Sequence, residues 1–163
     1  MGKIPKRSEL IRQLAKLGDP VNVDLGTVIF REGDPGDAFF IVRSGRLRVI
    51  RKGAELRPRT VGYLYPDDHF GEGALLSRLA RRATVRATEP GELLRVSKSR
   101  FLKAVSSNRE LKKLLEDQVA DIAYRDFTRF LNAMDGPEDR DALQDLFQKL
   151  NRIRVSRGTR VIR

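Results

Sequence analysis

Between Val21 and about Val96 no apolar run holds helical spacing, and that constrains the fold more than any other feature of the chain. Short alternating segments stand there instead: Thr27-Val28-Ile29-Phe30, Ala38-Phe39-Phe40-Ile41-Val42, Arg46-Leu47-Arg48-Val49-Ile50, Arg82-Ala83-Thr84-Val85-Arg86-Ala87 and Glu92-Leu93-Leu94-Arg95-Val96. Turn formers separate them at Gly33-Asp34-Pro35-Gly36, Ser44-Gly45, Lys52-Gly53 and Glu89-Pro90-Gly91. Many short, evenly spaced strands predict a sandwich or barrel.

The flanks are helical. Residues 8–17 predict an amphipathic helix with Ser8 as N-cap, apolar residues at 10, 11, 14 and 17, and Gly18 as its stop. Phe101, Leu102 and Val105 fit a short helix starting after Ser97 or Ser99. From Asn108 to Met134 the apolar residues at 111, 114, 115, 119, 122, 127, 130, 131 and 134 keep helical spacing. Asp135-Gly136-Pro137-Glu138 breaks that helix and restarts another, which runs to about Leu150. The aromatics Tyr124, Phe127 and Phe130 are expected to serve packing or dimer contacts. The long helix is not a strict heptad seam.

Composition narrows the function classes. Apolar residues make up 40% of the 163 residues and charged residues 34%, as in a globular domain. No stretch approaches the roughly 20 apolar residues needed to cross a bilayer. Behind the basic residues of 1–7 no apolar run follows, so no signal peptide is readable and a cytoplasmic location is expected. There is no cysteine, hence no disulfide and no thiolate nucleophile. One histidine, His69, cannot build the multi-histidine metal site of a cupin or a catalytic triad. It lies in a segment expected to be a solvent-exposed loop. Neither an enzyme nor a metal protein is expected. The net charge of +11 fits either a polyanion or small anionic partner, or solvated faces rich in arginine. The arginines are scattered and no nucleic-acid-binding motif can be placed, so no direct nucleic-acid or membrane contact is expected.

The chemistry concentrates in Phe70 to Ala87, FGEGALLSRLARRATVRA. Gly71 permits a tight backbone path, and Glu72 to Leu76 can form one helical turn. Its N-terminus would offer free N–H groups and a positive dipole end to a phosphate. Arg81 and Arg82 follow at the head of a strand, where a guanidinium could reach back to the same anion. A carboxylate beside an anion needs a hydroxyl donor, which a sugar would supply. From these residues alone, a turn carrying surface arginines is equally open.

This stretch resembles the phosphate-binding cassette of the cyclic-nucleotide-binding domain family, found in catabolite-type regulators, kinase regulatory subunits and gated channels. Upstream, Gly26-Thr27, Arg31-Glu32-Gly33-Asp34-Pro35-Gly36-Asp37 and Phe40-Ile41-Val42-Arg43-Ser44-Gly45 resemble the same family. The resemblance covers about residues 10–105. It implies a mainly β fold, a double-stranded β-helix or jelly-roll-like β-roll, with an N-terminal helix and a C-terminal helical extension. It also implies a site running from Phe70 to Ala83. There Glu72 would accept the ribose 2′-hydroxyl, with Gly71 close to the sugar. N–H groups of Gly73 and Ala74 would hold the cyclic phosphate, and Arg81 would neutralise it. Val49, Val61 and Gly62 fall where the family packs strands against the base, and they equally suit plain core positions.

Two departures qualify the ligand. Arg82 stands where a small or hydroxylated residue is usual, and Gly73 where a larger aliphatic is common. Arg82 leans outward, adds a second phosphate contact, or marks a site that has drifted. The ligand expected is cAMP in preference to cGMP, without metal.

The organisation expected is a nucleotide-binding domain over 1–107, a helical extension over 108–151, and over 152–163 the start of a second, truncated domain of the same kind. The last assignment follows from an echo: both 20–31 and 152–163 carry V/I-x-V, Gly-Thr, two apolar residues and an arginine. The function expected is a sensor that couples ligand binding to movement of its C-terminal helix. Its partners would be an effector beyond residue 163 and possible homodimers through the 108–134 helix. The alternatives are a non-binding roll used for docking or dimerisation, and a fragment of a transcription regulator.

Overall fold

The computed structural model describes residues 6–53 and 56–132, with side chains through Asp126. Its elements are α1 (Arg7–Ala15), β1 (Asp19–Val23), β2 (Val28–Phe30), β3 (Ala38–Val42), β4 (Leu47–Lys52), β5 (Pro58–Leu64), β6 (His69–Phe70), α2 (Glu72–Ser77), β7 (Thr84–Ala87), β8 (Gly91–Ser97), α3 (Lys98–Ser107) and α4 (Arg109–Asn132). The strands form two four-stranded sheets, ordered β1-β8-β3-β6 and β2-β7-β4-β5, with antiparallel pairing throughout. This is a β-roll between helices.

The uninterrupted apolar run of β3 has a direct cause. All five of its residues are buried, because its sheet is covered on both faces. Ala38, Phe40 and Val42 join Leu47, Phe70, Val85, Ala87 and Leu93 between the sheets. The alternate residues Phe39 and Ile41 turn to the other side, where they meet Leu10, Ile11 and Leu14 of α1, Leu75 of α2, Phe101 and Val105 of α3, and Leu111 and Leu115 of α4. The period-two alternation of a strand thus feeds two cores from one segment. The first turns of α4 belong to the same compact unit as the roll, which extends to Asp117.

Helix ends follow local chemistry with one exception. Ser97 caps α3 by accepting from the Arg100 N–H, and the Asn108 side chain accepts from Leu111 N at the head of α4. Ser8, expected to cap the first helix, lies inside α1; the cap position is Lys6, which offers no side-chain bond while its carbonyl accepts from Glu9 and Leu10 N–H groups. The strand expected from Arg82 begins only at Thr84. The reason is backbone pairing upstream: Arg81 N donates to Asp34 O and Gly33 N donates to Arg81 O, which ties residue 81 to the 33–34 turn instead of the ladder. The helix expected up to Leu150, the echo at 152–163, and the side chains of Phe127 and Phe130 lie outside the described residues.

Candidate functional site

The cassette is assembled where β6 hands the chain to α2. Phe70 is anchored between the sheets, its ring stacked on Phe40 at 5.1 Å and tilted against Phe30 at 5.8 Å. Gly71 then adopts φ 94°, a left-handed conformation that starts α2 without a Cβ penalty. A Cβ at Gly71 would lie 2.9 Å from Arg81 Nη1 and 3.1 Å from Ala38 O, so glycine is required by space as well as by dihedral. The turn exists to bring the Gly71 carbonyl against a guanidinium.

That guanidinium belongs to Arg81, which is 3% exposed. Its Nη1 donates to Gly71 O at 2.8 Å, and its Nη2 donates to Ala38 O at 2.7 Å and to Asp37 Oδ1 at 3.2 Å. The guanidinium carbon lies 4.0 Å from the centroid of the Phe30 ring, a cation–π contact. With its backbone fixed to the 33–34 turn and its head fixed to three acceptors, Arg81 is immobilised at both ends. Its Nε is buried and carries no hydrogen bond among the described residues. The buried Nε–H is therefore left without a partner, and a buried unmet donor costs about 1–3 kcal/mol.

Asp37 joins two arginines, its other oxygen accepting from Arg95 Nη2 at 2.9 Å. Burial alone would push its carboxyl up, but the hydrogen bonds and charges of Arg95 and Arg81 outweigh that and hold it below the ordinary aspartate range. Burial in turn draws Arg81 down from its ordinary value, opposed by Asp37, then Glu72 and Asp34. The carboxyl that is depressed in the folded state stabilises the fold fully above the unfolded aspartate value of about 3.9, and that contribution is lost as pH falls through the depressed value. Asp37 remains 63% exposed, so the effect is below about 1 kcal/mol. Asp37→Asn should lower the urea midpoint at pH 7 modestly, with the gap to wild type closing as the pH falls below the ordinary aspartate range.

The other expected site residues fall as follows. Glu72, first residue of α2, is buried, with Oε2 lacking a hydrogen-bond partner. Gly73 and Ala74 occupy the first turn of α2, and nothing lies within 4 Å of where a Gly73 Cβ would stand. Arg82 is exposed, and Ala83 is half-buried at the entry to β7. Val49 pairs with Gly62 across β4 and β5, and a register shift leaves Val61 as the extra residue of a bulge. All three are half-buried, and a Cβ at Gly62 would meet nothing within 4 Å. The structure thus brings Gly71, Glu72 and Arg81 together and leaves Arg82 outside that cluster.

His69 is corrected. It stands in β6, not in an exposed loop, and its side chain is 6% exposed. Pairing with Ile41 turns it to the helix-facing side, where its ring lies 5.6 Å from that of Phe39. Three residues of the site carry no local signal in the sequence: Asp37, Phe30 and His69. Asp37 and Phe30 reach Arg81 across 44 and 51 positions, and no spacing rule pairs residues so far apart. Among the described residues no group of three or more His, Cys, Asp or Glu side chains could hold a metal ion, and no helix is long and apolar enough to cross a membrane.

The cyclic nucleotide-binding domain family matches residues 20–108, more than half of the chain, and the chain belongs to that family. It is 37% identical over 105 residues to the cGMP-dependent protein kinase egl-4 of Caenorhabditis elegans, covering 63% of this chain and 14% of the kinase. It is 38% identical over 91 residues to the cAMP-dependent protein kinase regulatory subunit of Dictyostelium discoideum, covering 54% of this chain and 28% of that protein. Among solved structures, the catabolite activator protein of Thermus thermophilus superposes with a TM-score of 0.67 at 26% identity, over 75% of this chain and 57% of that one. The chain therefore spans a minor part of the kinase proteins it matches. Domains of this family are regulatory units, not catalytic ones.

Proposed function

We propose that this domain senses a cyclic nucleotide, with cAMP taken in preference to cGMP, and passes the signal through the helices that pack on its roll. The observation that carries the reading is the buried Arg81 guanidinium with its unmet Nε, held against the Gly71 carbonyl at the head of the helix that Glu72 opens. In this reading the cyclic phosphate takes the Arg81 Nε–H and the N–H groups of Gly73 and Ala74, while Glu72 accepts the ribose 2′-hydroxyl. Phe70, Gly71 and Ala83 shape the turn, and Val49, Val61 and Gly62 give the base its wall. Kinases naming cGMP and cAMP both resemble this chain, so the relatives leave the base open. Arg82 brings no hydroxyl to a guanine, which favours adenine.

Transmission would start at Leu75. It lies in α2 yet packs in one cluster with Phe101 of α3 and with Leu111 and Leu115 of α4, so a ligand that moves α2 moves the start of α4. The shift is bounded by the ligand's preference for one position of that cluster over the other. The output passes to an effector joined or docked to the chain.

A second reading is favoured by one observation. Both terminal nitrogens of Arg81 are already satisfied within the fold, as they would be in a roll kept for docking alone. Isothermal titration of cAMP and cGMP into the wild type and into Arg82→Ala separates the two. The sensor should bind cAMP with micromolar or tighter affinity, and Arg82→Ala should change the cAMP/cGMP ratio more than the cAMP affinity. Absence of heat with either nucleotide, in protein shown to be folded, leaves the docking module.

A further inference from the structure

Beneath the cassette lies a contact to which no role has yet been given, between His69 and Glu72. His69 Nδ1 stands 3.9 Å from Glu72 Oε2, with both side chains 6% exposed. Neither imidazole nitrogen has a hydrogen-bond partner among the described residues, and neither has Glu72 Oε2. The neighbours of the imidazole on the strand side are apolar. On the β3 side the imidazole meets Phe39 and Ile41, and Phe39 is itself stacked on Phe101 of α3 at 5.0 Å. Among the described residues Glu72 is the one acid within ion-pair reach of His69. The charge of Arg81, flanked by Asp37 and Asp34, acts on Glu72 from the other direction.

We infer that His69 is the positioning residue for Glu72, holding carboxylate oxygen Oε2 so that Oε1 is presented to the ribose 2′-hydroxyl of a bound nucleotide. The inference rests on the sensor reading above, in which Glu72 accepts that hydroxyl. Donor and acceptor are complementary between His69 Nδ1 and Glu72 Oε2. A neutral imidazole protonated at Nδ1 donates to Oε2 and leaves Oε1 as acceptor, and the imidazolium does the same with added charge. At 3.9 Å the pair falls short of a hydrogen bond, and a small rotation of the Glu72 side chain closes it. Drawing Glu72 onto a ribose hydroxyl orders the carboxylate, and His69 supplies its second contact. Two buried atoms that otherwise lack partners, His69 Nδ1 and Glu72 Oε2, would then satisfy each other in the liganded state. His69 is the only histidine in the sequence.

A role through Glu72 predicts a dependence on one ligand atom, which a general packing role would not produce. Affinities for cAMP and for its 2′-deoxy analogue are measured by calorimetry on wild type, His69→Phe and His69→Gln. Wild type should prefer cAMP by roughly 10- to 100-fold, the worth of a hydrogen bond to a carboxylate. His69→Phe should reduce that preference at least about threefold, chiefly by weakening cAMP, and His69→Gln, which keeps a donor, should restore part of it. A preference unchanged in both variants overturns the positioning role while the sensor reading stands. No binding of either nucleotide by the wild type overturns both. If neither variant folds, the wild type still decides. The single imidazole gives one Cε1–H proton resonance, which cAMP and the 2′-deoxy analogue should move to different positions. Identical positions at saturation count against the inference.

Discussion

Arg81→Ala should abolish measurable cAMP binding while leaving a destabilised but folded roll. Two losses add. The phosphate loses its buried cationic partner, which for a desolvated charge pair is worth roughly 2–5 kcal/mol, tens to thousands of fold in Kd. The carbonyl oxygens of Gly71 and Ala38 lose their donors as well, at about 1–3 kcal/mol of stability. Part of the second loss is offset, because the buried charge itself disappears. Arg81→Lys separates the two effects. An ammonium keeps the charge but cannot span both carbonyls and Asp37 with a planar fork, so it should recover some affinity and little stability. Calorimetry and urea unfolding on the same preparations give both numbers. An Arg81→Ala protein that binds cAMP as the wild type does would place the phosphate elsewhere.

Gly71→Ala should be the next most damaging change, and Gly73→Ala two residues on should be mildly stabilising. A non-glycine residue in the left-handed region costs roughly 1–2 kcal/mol before any contact is considered. Here the added methyl also stands 2.9 Å from a guanidinium nitrogen that cannot swing aside, because Ala38 O and Asp37 hold the same head. Relief requires breaking the Arg81 contacts, so binding should fall at least about tenfold together with stability. At Gly73 the backbone carries no such constraint and the space is open, so alanine should gain about 0.5–1 kcal/mol from helix preference and reduced unfolded-state freedom. Opposite signs at neighbouring glycines, read from thermal unfolding, would show that the turn and not glycine content sets the site. A harmless Gly71→Ala would mean that the turn relaxes freely.

How far the sequence disclosed these features depended on the range of the interaction behind each. β3 was legible because a strand covered on both faces reads as an unbroken apolar run. The cassette was legible because its glycine, carboxylate and arginine lie within a dozen positions and their spacing survives in one piece. The start of α3 was narrowed to Ser97 or Ser99 because capping is a three-residue affair, and Ser97 is the cap. Ser8 misled for the same reason: the motif is short, and the backbone at Lys6 starts the helix without it. β5 was reached only through the resemblance, at Val61 and Gly62, since a bulge at Val61 breaks its alternation and its outer half is exposed. His69 escaped because a two-residue strand has no period to read, and its burial is decided by pairing with Ile41. The Arg81–Asp37–Arg95 contacts are purely tertiary, made by loops and strands from three parts of the chain.

The two-faced β3 has a mechanical consequence. A wall shared by two rooms cannot be removed from one of them. Phe39 and Ile41 hold α1, α3 and the start of α4, while Phe40 and Val42, on the same backbone, hold the opposing sheet that carries β4 and β7. Sliding β3 by one residue would exchange the two sets and ruin both cores at once. Register is thereby locked from both sides, so the strand works as a rigid fulcrum. A displacement of α2, whose Leu75 packs on this wall, would therefore be made against a fixed support.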